Sequence, residues 1–212
     1  MEFRLLYEGE LLPSSNTKRR AAEKHIIRRA FHPQLRRLWE VKPLLRHLAD
    51  NRGFLRSPEV YHHSNLVRTP EERFEIGIKT LGKEWSRAGF DLVPLVLPEF
   101  ALQCSLDILL LRPEEERFIF TQGDIDGQVK TLLDALRIPD NPEETGHAIP
   151  ADDEQPLFCL LQNDRLISEI KVTSDQLLML PREKAVKAND CFVVIHVRLN
   201  HRDARTFDNY FG

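Results

Sequence analysis

The chain is short of cysteine, of long apolar runs and of glycine-rich loops, and each shortage removes a class of protein. Its three cysteines in 212 residues, Cys104, Cys159 and Cys191, each stand in an apolar, strand-like run without zinc-ligand spacing. An odd, sparse set of this kind excludes a disulfide scaffold and reads as reduced, buried thiols of a cytoplasmic protein. No apolar run approaches a membrane span, and Met1-Glu2-Phe3-Arg4 lacks the pattern of a secretory signal, so no membrane partner is expected. There is no phosphate-cradling glycine loop, no Ser-His-Asp signature and no internal repeat. A net charge of only −3 argues against an indiscriminate nucleic-acid binder.

Charge is unevenly spread. Between Leu11 and Arg56, twelve Lys and Arg residues face three acids, Glu23, Glu40 and Asp50, whereas Glu114 to Asp164 is acidic. A basic arm beside an acidic centre suits a nuclease, in which cations hold phosphates and acids hold metal. Arg28, Arg29, Arg36 and Arg37 are the candidate DNA contacts, with His25, His32 and His47 nearby. The competing reading is a solvated helix with scattered charges.

Length fits a single domain spanning 1–212, with a helical basic insertion over about 18–50. Phe3 to Tyr7 reads as a first strand, ended by Pro13-Ser14-Ser15-Asn16. Lys18 to Ala49 is helical in period, and Pro33 and Pro43 should break or kink it, which predicts two or three helical pieces. Asn51 to Arg68 reads as an irregular loop. Thr69-Pro70-Glu71-Glu72 is a helix start with a capping box, and Phe74, Ile78, Leu81 and Trp85 keep helical spacing. The alternation of Phe74, Ile76 and Ile78 keeps a strand open there.

Asp91–Leu97, Phe100–Leu111 and a short Phe118–Phe120 read as strands, with Glu114–Glu116 as a turn. Asp140 to Pro156 is a polar loop of disordered composition. Leu157–Leu161 and Leu166–Val172 predict a strand pair turning at Asn163-Asp164. A short helix over Asp175–Leu180, a last strand over Cys191–Leu199 and a charged tail complete the chain. Strands mixed with helices and hairpin-like pairs predict an α+β fold, a mixed sheet packed against helices. Trp39 and Trp85 read as core or interface residues. His62-His63 lacks supporting metal ligands and reads as a polar loop pair. Asp107, inside an apolar strand, needs a partner, a place near a metal site or an outward position.

The stretch Gly123-Asp124-Ile125-Asp126-Gly127-Gln128-Val129-Lys130-Thr131-Leu132-Leu133-Asp134-Ala135-Leu136 is the most informative. Ile125, Val129, Leu132, Leu133 and Leu136 recur at helical spacing and predict the buried face. Asp126, Lys130 and Asp134 step by four along a neighbouring stripe, and Asp124 stands at the helix entrance. Carboxylates crowded there repel unless a cation lies between them, and all-oxygen ligands favour magnesium or manganese. The same residues also read as an N-cap and an ordinary surface ion pair. Asp164, at a predicted turn, is by itself a routine turn aspartate.

This ordered set resembles the signature of the RusA family of Holliday junction resolvases: Asp-x-Asp-Asn, then x-x-Lys, then x-x-x-Asp-Ala-Leu, with a later acidic pair before a strand. A short N-terminal strand, Pro13-Ser14-Ser15-Asn16 and a basic helix are also similar. Gly127 stands where the family has asparagine, and Asn163-Asp164 where it has two acids. The resemblance implies a homodimeric, magnesium-dependent endodeoxyribonuclease acting on branched DNA in recombination and repair. It implies that Asp124, Asp126 and Asp164 hold Mg2+ (or Mn2+), that Lys130 acts on the scissile phosphate and that Asp134 orients Lys130. Two other readings stand beside it. One is a catalytically weakened relative that binds nucleic acid or protein. The other is an Asp-x-Asp nucleotide-sugar transferase, disfavoured because that motif usually ends a strand, whereas here a lysine and a helix follow at once.

Overall fold

The computed structural model describes residues 1–14, 18–56, 69–113, 125–178 and 189–201. Ten elements follow in order: β1 (Glu2–Glu10), α1 (Lys18–Val41), α2 (Pro43–Arg56), α3 (Pro70–Glu84), β2 (Leu92–Val96), β3 (Leu102–Pro113), α4 (Ile125–Leu136), β4 (Leu157–Leu161), β5 (Ile167–Leu177) and β6 (Asp190–His201). The class is α+β with a mixed sheet, as the pattern predicts. Among the described residues, no helix is long and apolar enough to cross a membrane.

The main sheet runs β1-β6-β3-β5. β6 pairs antiparallel with both β1 and β3, while β3 and β5 are parallel. The alternation of β1 is a half-buried pattern: Leu5 and Tyr7 are buried while Arg4, Leu6 and Glu8 are exposed. A second, two-stranded parallel sheet joins β2 to β4. Both of its strands are buried at every position, which suits their nearly unbroken apolar runs. The core lies between the two sheets and α1, around Phe31, Leu35, Trp39, Val93, Leu106, Ile108, Phe158 and Ile195.

Several local expectations are corrected by packing. Pro33 lies inside the continuous α1 and does not break it. An interior proline costs about 3 kcal/mol. Ile27, Phe31, Leu35 and Trp39 on the same helix are at most 1% exposed, and burying each stabilises by roughly 1.5–3 kcal/mol, which outweighs that cost. Pro43 does separate α1 from α2, as the first residue of α2, where its missing N–H is harmless. α2 continues through Arg56, into the stretch expected to be irregular. At α3 the helix reading holds and the strand alternative fails. Both halves of the capping box form, Glu72 N–H to Thr69 Oγ1 at 3.2 Å and Thr69 N–H to Glu72 Oε2 at 2.9 Å.

β4 and β5 do not pair with each other. β4 joins β2 and β5 joins β3, and the single turn Asp164–Leu166 carries the chain from one sheet to the other. The apolar Leu-Phe-Cys-Leu-Leu run needs burial on both faces, whereas the polar β5 belongs at a sheet edge. The helix expected from Asp175 is strand as far as Leu177, because Asp175, Gln176 and Leu177 pair with Leu111, Arg112 and Pro113.

The stretch 140–156, a polar loop whose order the sequence leaves open, is structured. It contains the turns Pro142–Thr145 and Asp152–Glu154. It packs on α1 closely enough that a Cβ on Gly146 would lie 3.0 Å from Ala22 N. The strand expected at Phe118–Phe120, the turn at Glu114–Glu116, His62-His63 and the charged tail beyond His201 lie outside the described residues.

Candidate functional site

The acidic helix α4 forms as its spacing predicts, but it buries a different face. Gln128, Thr131, Leu132, Ala135 and Leu136 are buried, whereas Ile125 is 44% exposed and Val129 and Leu133 are half-buried. The reason is the segment leaving β1. Gln128 Nε2 donates to Leu11 O at 2.9 Å, and Thr131 Oγ1 donates to Leu12 O at 2.8 Å. Arg112, near the end of β3, donates to Gln128 Oε1. Polar side chains thus satisfy backbone carbonyls that would otherwise be buried without partners.

The same contact explains Gly127. Ser14 N–H donates to Gly127 O at 2.9 Å, and a Cβ on Gly127 would lie 3.1 Å from the Pro13 ring. The residue that departs from the RusA pattern is the point where chain 13–14 crosses the first turn of α4.

Asp126 and Lys130 are exposed on α4, and the Asp126 carboxylate accepts the Gly127 N–H at 2.6 Å. Asp134 does not orient Lys130. Its Oδ2 takes Lys24 Nζ at 2.6 Å, and its Oδ1 lies 3.9 Å from Arg137 Nε, so it ties α4 to α1. Asp124 lies outside the described residues. Asp164 opens the turn after β4, and Asn163 caps that turn by accepting the Arg165 N–H at 3.0 Å. The first position of the expected acidic pair therefore does a capping job that asparagine performs well.

An open groove of about 610 Å³ runs between α4 and β5, lined by Leu133, Asp164, Arg165, Ile167, Ser168, Glu169 and Ile170. Leu133 follows Asp126 and Lys130 by steps of seven and three, which continues their side of the helix. Arg165 and Glu169 also line this groove, and sequence reasoning did not single them out. Their signal was only nearness to Asp164. Among the described residues, no group of three or more His, Cys, Asp or Glu is placed to share a metal ion. Asp126 and Asp164 are hard oxygen donors of the type magnesium takes, and they are two members of the expected set of three. Asp107 is not part of it: its carboxylate meets Lys171 Nζ at 3.1 Å on the main sheet.

The basic arm is largely paired, and one of its members is internal. Arg28 is 1% exposed, and its guanidinium donates to Asp134 O at 2.9 Å and Arg137 O at 3.2 Å, at the C-terminal end of α4. It is a buried helix cap and cannot reach a DNA phosphate. Arg29 pairs with buried Glu154, and Arg36 with Glu75 at 2.7 Å and Glu40 at 3.2 Å. Arg37 also reaches Glu40, at 3.1 Å, but stays 72% exposed. These acids balance much of the positive charge that the sequence displays as a run.

His25 and His32 are buried against the 140–156 stretch and do not face phosphate, whereas His47 is exposed and bonds Asn51. His32 Nδ1 accepts the Phe158 N–H at 2.9 Å, so its Nε2 carries the proton toward Asp153 O at 2.8 Å. The His25 pKa is pushed down to about 4 by burial and by Arg28 and Arg29, against Glu154. Burial also lowers that of His32, with Arg36 acting in the same direction and Asp153 and Glu154 opposing it.

The cysteines are as expected. All three are buried and free, and burial pushes Cys104 and Cys159 up to about 12 and Cys191 to about 11.

No protein-family model, curated protein or solved structure matches the chain.

Proposed function

We propose that the chain is a RusA-like, metal-dependent endodeoxyribonuclease that cuts branched DNA. The observation that supports this reading is the groove lined by Asp164 and, from α4, by Leu133, on the helix that carries Asp126 and Lys130 exposed. Asp126 and Asp164, with Asp124 at the helix entrance, would hold Mg2+ or Mn2+. Such an ion, when bound, activates a water and stabilises charge on the phosphate. Lys130, exposed and one helical turn beyond Asp126, serves as the cation that meets the non-bridging phosphate oxygens. Arg37 supplies an exposed cation for the DNA backbone, with Arg29 and Arg36 held beside it by their acids. A junction presents two strands to symmetric cutting, so a homodimer is the matching assembly.

The test is cleavage of a four-way junction and of linear duplex with magnesium or manganese. Asp126→Asn is expected to lower junction cleavage by orders of magnitude while junction binding persists or tightens, because repulsion of phosphate falls. Lys130→Ala is expected to impair cleavage and leave metal binding intact. Absence of cutting by the well-folded wild type with either metal overturns the nuclease reading. It favours the second one, a non-catalytic relative that binds branched nucleic acid. The specific observation favouring that alternative is the crossing of Gly127 by Pro13: a Cβ there would lie 3.1 Å from the Pro13 ring, so the asparagine of the RusA pattern requires that ring to shift by a few tenths of an ångström.

A further inference from the structure

An irregularity in β5 decides what the groove beside Asp164 presents. Cys104 and Leu106, two apart on β3, pair with Ile167 and Ile170, three apart on β5, so β5 carries one extra residue between them. In a regular strand, residues three apart point to opposite faces. The extra residue brings both isoleucines to one face, that of the buried Cys104 and Leu106. Ser168 fastens the irregularity by donating its hydroxyl to Cys104 O at 3.1 Å. β5 is the last strand of its sheet, and Ile170 is left 43% exposed.

Ile167 and Ile170 line the groove with Leu133 of α4, and together they make an apolar wall. Ile167 and Leu133 are half-buried and pack against the core, which holds the wall in place. The rest of the lining is polar. Arg165 and Glu169 are exposed, and among the described residues neither side chain is tied up in an ion pair. An exposed isoleucine backed by two fixed apolar side chains gains by being covered. A groove of about 610 Å³ lies in the size range of sites that take a small organic ligand.

We propose that this groove takes one unpaired nucleotide of the DNA, which narrows the substrate to branched DNA with an unpaired nucleotide beside the cut. The inference takes its ligand from the nuclease reading and rests on it. The base lies with one face on Leu133, Ile167 and Ile170. Arg165 meets its phosphate, and Glu169 accepts a hydrogen bond from an N–H on the base edge. Asp164 lines the same groove, so the nucleotide sits next to the phosphate that the acids address. In a paired duplex the base face is stacked, and the groove is filled only after unstacking. That cost is least for a base already unpaired.

The test is binding by fluorescence anisotropy in EDTA, where cutting plays no part. The full chain is expected to bind a duplex with one looped-out nucleotide roughly ten-fold tighter than the same duplex fully paired. Removing the base of that nucleotide, as an abasic site, is expected to erase the preference. The phosphate and the bend remain, but the apolar wall loses its ligand. Ile170→Asp is expected to erase the preference too and Ile170→Leu to keep it, with far-UV circular dichroism as the check on folding. Arg165→Gln is expected to weaken binding of the looped-out duplex and to reduce its salt slope by about one. Equal affinity of the wild type for looped-out and paired duplex overturns the proposal. So does a preference that persists with the abasic site. Cleavage of the junction with magnesium is read separately. A chain that cuts without the preference keeps the nuclease reading and loses the groove assignment, and one that shows the preference without cutting does the reverse.

Discussion

Arg28 shows how one side chain can carry a meaning opposite to its sequence context. It sits in a run of positive charge and reads as a phosphate contact, yet it is enclosed and holds the last carbonyls of α4. Its loss is therefore a matter of stability. Arg28→Met removes the side-chain donor of two part-buried carbonyls, at up to about 1–3 kcal/mol each. Urea unfolding is expected to show a loss of roughly 3 kcal/mol, and the salt dependence of DNA binding is expected to stay unchanged. Arg37, 72% exposed, is expected to show the reverse when changed to glutamine. Asp134 belongs with Arg28, since its carboxylate holds Lys24 while its carbonyl holds the guanidinium.

Between elements, α2 and α3 approach each other closely. A Cβ on Gly77 would lie 2.0 Å from the Ala49 carbonyl oxygen, so only glycine allows the two helices to meet there. Backbone cannot yield as a flexible side chain does. Gly77→Ala is expected to destabilise by about 1–3 kcal/mol or more, despite the higher helix propensity of alanine. A thermal melt checks this, and an unchanged or raised midpoint would mean that the helices separate at little cost. At other junctions local signals compete with partners. Pro33 is overruled by the buried face of α1. The presumed β4–β5 hairpin is divided because one strand suits a buried layer and the other an edge.

For the whole molecule, the 140–156 stretch acts as a strap across α1. His25, Arg28, Arg29 and His32 lie on one side of that helix and face it or the end of α4. Both histidines are neutral in the folded state. The unfolded chain takes up protons near pH 6.5 that folded His25 refuses until about 4. Stability is therefore complete above about pH 6.5 and is lost as pH falls through that window, by on the order of 3 kcal/mol for His25. His32 adds to the loss, because its protonation removes the acceptor of the Phe158 N–H. Urea unfolding at pH 7 and pH 5 is expected to show the drop, and His25→Gln is expected to reduce it. Equal stability at the two pH values in the wild type would remove the histidines from the account.

What the sequence determined by itself was short in range. The capping box at Thr69, the alternation of β1, the helical period of α4 and the burial of three thiols each depend on residues within a turn or two, or on side-chain hydrophobicity. The exposed stripe of Asp126 and Lys130 was legible for the same reason. Tertiary structure alone decided which face α4 buries, because that depends on carbonyls of Leu11 and Leu12 more than a hundred residues away in the chain. It likewise turned Arg28 inward, gave Asp134 to Lys24, parted β4 from β5 and ordered the polar strap. Periodicity specifies that a face is apolar or a residue charged. Which partner meets it is set by long-range contacts, where burial and unsatisfied backbone groups outweigh local preference.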